Sequence, residues 1–180
     1  LYQAAHAAAE LRGDAATILR TELLLRQQAE ALPPVHPERA GFLEYLGGEG
    51  LLSLTTEPAG ASVSWHRYVP HGRRLVAEFQ RDLRPTPLRR AWLPRGSHLL
   101  VLRAPGCAEV RYPVSMERLG RWLGEGDASD TPGPVLLPAA DALGPGECYV
   151  APGPCLLGGD PEAFEGGPRE SVFLPGFVMR

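Results

Sequence analysis

The sequence predicts an α+β fold, because the spacing of its hydrophobic residues changes along the chain. Residues 1–46 are rich in Ala, Leu and Glu, which favour helices, and they repeat apolar residues at helical spacing. Residues 49–116 contain short β-rich runs separated by Gly and Pro, which is typical of a small β-sandwich. Residues 147–180 read as two short strands around a turn-rich loop. We therefore expect an N-terminal helical hairpin, a small β-sandwich and a third, C-terminal β unit.

The N-terminal region is predicted to be a helical pair over residues 1–46. Gly13 is suited to end a first helix, and Asp14 is suited to cap a second one that begins at Ala15. Pro33 and Pro34 end this second helix, since proline cannot continue the helical ladder. Residues 37–45 are expected to add one short turn of helix. The predicted apolar stripe of the second helix consists of Ile18, Leu25, Ala29 and Leu32.

The sandwich is predicted over residues 49–116, with an insertion at 67–85. The insertion is expected to form a loop, or a helix from Arg74 to Leu83. After the sandwich, residues 117–146 are predicted to be a linker, with a brief helix at 116–123 that packs Trp122 on the sandwich. Small, acidic and Pro/Gly-rich residues at 124–134 favour a mobile connector there. The predicted strands of the sandwich are residues 51–56, 62–65, 98–103 and 109–114.

Charge and composition exclude several kinds of chemistry. The net charge of -3 and the mixing of acids and bases argue against a nucleic-acid partner. The adjacent pairs Arg73-Arg74 and Arg89-Arg90 are expected to be solvated. Every basic residue counted among the 18 Lys and Arg is Arg, so neither a Schiff-base lysine nor a phosphate-loop lysine can be present.

Histidines and cysteines are the remaining candidates for a chemical site. His98 follows a glycine turn at the start of a predicted strand, where a structural role is expected. His66 and His71 would bind a metal only with ligands from elsewhere in the chain. The three cysteines do not have the spacing of a disulfide framework or a zinc site. Burial as free thiols is expected for Cys107, Cys148 and Cys155. The alternative for Cys148 and Cys155 is that they approach each other across a hairpin. No catalytic, cofactor-binding or metal-binding residue is therefore assigned.

The sequence contains no apolar run near the ~20 residues that a membrane-spanning helix needs. We therefore expect no membrane span. Without a charged-then-apolar leader pattern, a cytoplasmic location is the default expectation.

The sandwich region resembles a PEGA domain. The resemblance starts at the turn Pro58-Ala59-Gly60-Ala61 and continues in order through Thr86-Pro87-Leu88, Gly96-Ser97-His98 and Pro105-Gly106-Cys107. Cys107 stands where that family usually has Tyr, and the insertion at 67–85 replaces a tight turn. PEGA domains are small β-modules without a shared chemistry, so the resemblance implies a spacer or a binding module.

The C-terminal region resembles the start of a formylglycine-generating-enzyme, or sulfatase-modifying-factor, domain, which has a C-type-lectin-like fold. The residues that carry this resemblance are Cys148 to Pro154, the step Leu157-Gly158 with the following acidic loop, and the strand Ser171 to Phe177. The family's active cysteines and most of its calcium ligands lie in later sequence, and none of the three cysteines matches them. Alone, residues 147–180 are expected to expose apolar strands and to be mobile or self-associated.

The order of these units resembles the middle of bacterial hybrid proteins that join a serine/threonine kinase to a sulfatase-modifying-factor domain. Gly48-Glu49-Gly50 and the turn from Thr56 to Ala61 contribute to this resemblance. It implies a non-catalytic regulatory, linker and protein-interaction segment, whose partner is the rest of its own polypeptide or another protein. The alternative is the N-terminal part of a formylglycine-generating-enzyme-like oxidase, or of a C-type-lectin-like binding protein, with functional residues beyond Arg180. A passive spacer is a third possibility.

Overall fold

Three helices precede a series of β-strands in the computed structural model, which describes residues 2–123, 133–159, 167–168 and 170–180. The fold is therefore mixed α+β, as the sequence predicts. The helices are α1 (Tyr2–Arg12), α2 (Ala15–Ala31) and α3 (Pro37–Gly47). None of the helices within the described residues is long and apolar enough to cross a bilayer.

Capping residues set the helix boundaries. Asp14 accepts a hydrogen bond from the backbone N–H of Thr17 at 3.1 Å and so caps α2. The third helix has 11 residues, so it is longer than the single turn predicted at 37–45, and both of its ends are capped. His36 caps its N-terminus, and Gly48 ends it in a left-handed conformation with φ of 68°.

The helices pack through a small core of their own. Leu25 and Ala29 of α2 are buried against Tyr45 and Leu46 of α3. Thr21 also lies on the buried face of α2, although it is polar and was not part of the predicted stripe. Its hydroxyl can be buried because it donates a hydrogen bond to the carbonyl of Thr17 at 2.6 Å. The other two residues of the predicted stripe, Ile18 and Leu32, are half-buried.

Two sheets follow the helices and lie on either side of one hydrophobic core. The first sheet contains β1 (Glu49–Glu57), β4 (Leu88–Pro94), β7 (Arg121–Trp122) and β8 (Pro134–Leu136), with β1 paired to the other three. The second has the order β3 (Arg74–Leu83), β2 (Ser62–His71), β5 (Gly96–Arg103) and β6 (Val110–Met116). The shared core includes Leu52, Leu54, Val63, Leu100, Leu102, Val110 and Tyr112, all nearly inaccessible to solvent.

The insertion at 67–85 is a β-hairpin rather than a loop or helix. Its strands extend β2 and form β3, which pair from His71↔Arg74 to Val63↔Leu83 with one register shift between Trp65 and His66. Gly72 has φ of 61° in the two-residue turn, a conformation that suits a hairpin and that glycine adopts without strain. Pairing with β2 therefore prevails over the helix predicted at 74–83.

The brief helix predicted at 116–123 is also wrong. This segment ends β6, turns, and adds β7 beside β1 in parallel register, with Leu52 opposite Trp122. The pairing satisfies backbone groups that a short isolated helix would leave exposed. Trp122 does pack against the core, as the sequence predicted.

The segment predicted as a linker contributes to the first sheet as well. Strand β8 pairs with β1 in parallel register, and Val135 and Leu137 are buried in the shared core. The connector predicted at 124–134 lies almost wholly outside the described residues.

The C-terminal region forms two nested antiparallel pairs. The outer pair joins β9 (Cys148–Val150) to β12 (Phe177–Met179), and the inner pair joins β10 (Gly153–Leu157) to β11 (Glu170–Leu174). Tyr149 and Ala151 pack against the shared core, so this region is attached to the second sheet beside β6.

Candidate interaction site

A mostly apolar groove lies where the C-terminal strands meet the second sheet. It encloses about 430 Å³ between β6 and the segment 150–155. We call it the C-terminal groove. Its walls include Tyr68, Leu75, Pro113, Trp122, Pro154 and Leu174. Concave, apolar surfaces with a few polar groups are the usual form of a binding site in proteins.

The strands position the groove through contacts with the core. Trp122 of β7 donates from its indole N–H to the hydroxyl of Tyr112 at 3.3 Å, and the two rings meet edge to face with centroids 6.4 Å apart. Tyr149, the middle residue of β9, fixes the opposite wall by packing on the same core. One wall thus belongs to the sheets and the other to the C-terminal region.

The rim of the groove continues into an exposed apolar surface on β11 and β12. Neither strand is covered by another layer within the described residues. The exposed fractions are about half for each of Phe173, Val178 and Met179 and somewhat lower for Leu174 and Phe177. Successive side chains of a strand point to opposite faces, so these five large apolar side chains expose apolar surface on both faces of the two strands, and exposed apolar surface of this kind marks binding surfaces. We call these five residues the C-terminal patch.

His98 has the structural role that the sequence predicts. Its side chain is fully buried, where Nδ1 accepts from the indole N–H of Trp65 at 3.0 Å. Its Nε2 lies 2.7 Å from the carbonyl of Pro94, and therefore donates to it. Burial lowers the pKa of His98, which keeps the ring neutral and suited to both bonds. Both ring nitrogens are thus used to join β2 to the end of β4.

A second buried polar cluster joins the helices to the sheets. Arg118, in the turn after β6, donates from Nη2 to the carboxylate of Glu10 at 2.8 Å. It also donates to the carbonyl of Tyr45 and lies over that ring, 4.9 Å from its centroid. Arg95 approaches Glu10 at 3.4 Å. We call Glu10, Arg118 and Arg95, together with His6 and Tyr45, the helix–sheet clasp.

The clasp contains a fully buried histidine. His6 Nδ1 lies 2.9 Å from the Tyr45 hydroxyl, while its Nε2 finds no hydrogen-bond partner among the described residues. Burial lowers the pKa of His6; the negative charge of Glu10 opposes this shift, and the positive charge of Arg118 adds to it. Burial opposes ionisation of Glu10, but the hydrogen bond from Arg118 and its charge outweigh it and hold the pKa of Glu10 below its usual value. The clasp therefore combines a neutral imidazole with an ionised, nearly buried carboxylate.

The other histidine candidates are not brought into a cluster. His66 packs edge to face on Phe79 with centroids 5.5 Å apart, and His71 lies at the end of the same strand. Their odd spacing places them on opposite faces of β2. Within the described residues, no group of three or more His, Cys, Asp or Glu is arranged to hold a metal ion.

The cysteines are separated by the strand pairing. Cys148 lies in β9 opposite Met179, whereas Cys155 lies in β10 opposite Val172. Cys107 forms an isolated bridge with Ala139 and is half-buried. All three lie within the described residues and none forms a disulfide. Cys148 is exposed, so the burial expected for its thiol is wrong, and Cys155 is half-buried. Cys155 is the one that lines the C-terminal groove.

Two motifs that are distant in the sequence meet in the structure. The Thr86 hydroxyl accepts from the N–H of Ala61 at 3.0 Å and lies 2.5 Å from the hydroxyl of Thr56. Thr56 in turn donates to the carbonyl of Pro58 at 2.8 Å. These bonds join the turn at 58–61 to the Thr-Pro-Leu step. Sequence order suggested that the motifs belong together, but it gave no signal for the clasp, whose members lie far apart in the chain.

Comparisons with known proteins identify no relative. No family model matches the chain, and no curated protein or solved structure matches it.

Proposed function

We propose that this chain is a non-catalytic regulatory and protein-interaction segment of a multidomain bacterial signalling protein. The C-terminal patch carries the proposal, because its five large apolar side chains are one-third to about half exposed beside an apolar groove. Water contact with so much clustered apolar surface is unfavourable, so a binding partner that covers it would gain stability.

The partner of this surface is proposed to be polypeptide. The C-terminal strands carry few charges, with Glu170 and Arg180 at their ends. An exposed apolar surface with a groove of about 430 Å³ beside it suits the core of a protein–protein interface, where charged residues are depleted. The proposed occupant is another domain of the same protein, packed on β11 and β12.

The interaction role also agrees with how buried polar groups are used. His98 joins two strands and the helix–sheet clasp joins the helices to the sheets. These groups hold the two predicted units in one arrangement and position the groove relative to the helices. The PEGA-like and formylglycine-generating-enzyme-like assignments of the two β regions are part of this proposal and rest on the sequence resemblance.

Site-specific photocrosslinking tests the proposal. A benzophenone amino acid replaces Phe173 in the protein expressed in its own cells, and cross-linked peptides are identified by mass spectrometry. We expect links to one defined segment of the same polypeptide. The matched control is Leu19, an apolar residue of α2 that is 71% exposed and lies outside the C-terminal patch.

Links from Phe173 that are no more frequent or specific than links from Leu19 would contradict the proposal. Specific links from Phe173 to a different protein would keep the interaction role but replace the occupant. If a partner covers the C-terminal patch, the amides of β11 and β12 should be protected from hydrogen exchange in the full-length protein, and Phe173→Ser should abolish this protection.

A further inference from the structure

Strand β3 ends the second sheet with an open edge. Within the described residues it pairs with β2 and with no other strand, over ten residues from Arg74 to Leu83. An edge strand of this length presents a row of unpaired N–H and C=O groups, which is a template for another strand. Leu75, Val76 and Phe79 are also exposed by 43% to 64%, so the edge is apolar as well as open.

The hairpin geometry shows which residues offer their backbone to a partner. His71 and Arg74 flank a two-residue turn, so they form a hydrogen-bonded pair. Hydrogen-bonded and non-hydrogen-bonded pairs alternate along an antiparallel ladder. The backbone groups of Arg74 and Val76 therefore point to β2, while those of Leu75 and Ala77 point to the open edge.

We propose that two copies of this chain pair antiparallel through β3, with Val76 on the two-fold axis. In this register Leu75 of each copy exchanges hydrogen bonds with Ala77 of the other. Arg74 lies opposite Glu78 of the second copy, and the symmetry repeats this opposite-charge pair. The second sheet of one copy and the second sheet of the other then form one continuous sheet across the dimer.

Charge complementarity selects this register over its neighbours. A two-fold axis perpendicular to the sheet requires each residue to oppose one of the same face. Centring on Ala77 puts Val76 opposite Glu78 and leaves Arg74 without an opposite charge. Centring on Glu78 brings two carboxylates together, and like charges directly opposite each other are destabilising.

The strand itself also limits the pairing to its first part. The register of β3 with β2 shifts between Arg81 and Phe79, which marks a bulge at Gln80. Centring on Val76 uses residues 73–79, which precede the bulge. Arg74, Val76 and Glu78 do not line the C-terminal groove, whereas the side chain of Leu75 does, so this interface adjoins the groove and shares one residue with it.

Analytical ultracentrifugation with charge reversal tests the dimer. We expect the chain to dimerise reversibly at micromolar concentration. Arg74→Glu or Glu78→Arg alone should raise the dissociation constant by about tenfold, because each variant creates two like-charge pairs. The double variant restores both pairs and should return the constant to within about threefold of the original.

Cysteine crosslinking then tests the register, in a background with Cys107, Cys148 and Cys155 replaced by Ser. Val76→Cys should form an intermolecular disulfide under mild oxidation, since non-hydrogen-bonded pairs have the closer Cα atoms. Ala77→Cys should crosslink much less. A monomer up to about 100 μM, well above micromolar affinity, would overturn the proposal. So would a dimer insensitive to the charge variants, or rapid crosslinking of Ala77→Cys in place of Val76→Cys.

Discussion

Arg118 binds the carboxylate of Glu10 at 2.8 Å, although the two residues are 108 positions apart in the sequence. Both side chains are about one-tenth exposed, so the pair is nearly buried at the junction of helices and sheets. The Arg118 guanidinium also donates a hydrogen bond to the backbone carbonyl of Tyr45, near the end of α3. The helical unit and the β unit are thereby held in a defined arrangement.

Removing the arginine should destabilise the fold. Arg118→Met leaves the nearly buried Glu10 carboxylate with Arg95 as its one remaining charged neighbour in the clasp, beside the neutral His6, and we expect the free energy of unfolding to fall by about 3 kcal/mol. Urea denaturation followed by circular dichroism measures this change. The matched control is Arg103→Met, which breaks the exposed pair with Glu109 and should cost less than about 1 kcal/mol. Equal losses in the two variants would show that the clasp pair is energetically like a surface pair.

Stability should decrease as the pH falls below about 6.5. The pKa of His6 is lowered in the folded state from 6.5, so the unfolded chain binds a proton first and protonation favours unfolding. The contribution of His6 is therefore present above pH 6.5 and is lost as the pH falls toward its folded pKa. Unfolding free energies at pH 7.5 and 5.5 measure the effect. In His6→Gln the difference between the two pH values should be smaller, and an unchanged difference would exclude His6 as its source.

Gly50 and Gly41 should respond in opposite directions to alanine. A Cβ at Gly50 would lie 2.8 Å from the backbone oxygen of Glu117 and against the Met116 side chain, so Gly50→Ala should destabilise by about 1–3 kcal/mol. A Cβ at Gly41, inside α3, would meet nothing within 4 Å. Gly41→Ala should therefore stabilise by about 0.5–1 kcal/mol. Thermal unfolding of the two variants compares them directly, and a loss of stability in both would contradict the close packing argument.

The hydrogen bonds of Thr86 should be important for the turn at 58–61. Thr86→Val keeps the shape of the side chain but leaves the Ala61 N–H without its acceptor, and we expect a loss of about 1–3 kcal/mol. Ser62→Ala, which removes an exposed hydroxyl bonded to Arg103, is the control and should change stability by less than about 0.5 kcal/mol. Chemical denaturation measures both, and a similar effect of the two substitutions would be the contrary result.

The C-terminal strands should exchange their amide hydrogens faster than the central strand of the second sheet. Strand β5 is paired on both sides and buried, whereas β11 belongs to a two-stranded sheet with exposed side chains. Hydrogen exchange of the isolated chain, read by mass spectrometry, compares residues 170–179 with residues 98–102. Similar protection of the two segments in the monomeric chain would contradict the sequence-based expectation of a mobile or self-associated C-terminal region.

Local sequence determined the elements whose signals are contained within a few residues. Asp14, the two prolines after Leu32, the alternating burial of β1 and the continuous apolar run of β5 fix where those elements lie. Capping, ring geometry and side-chain patterning act between near neighbours. The structural role of His98 was also predictable from its position after a turn. The resemblance to known families and the function that it implies stay predictions.

Only the tertiary structure decided the rest. Residues 74–83 form a strand because β2 is beside them, and residues 121–122 and 134–136 are strands because β1 accepts them. Glu10 and Arg118 meet because the chain folds back between them. The edge of β3 is open because β3 is the last strand of its sheet and pairs, within the described residues, with β2 alone. Short segments with weak intrinsic preferences take the conformation in which their backbone hydrogen bonds are satisfied by partners far along the chain. No local pattern can specify those partners.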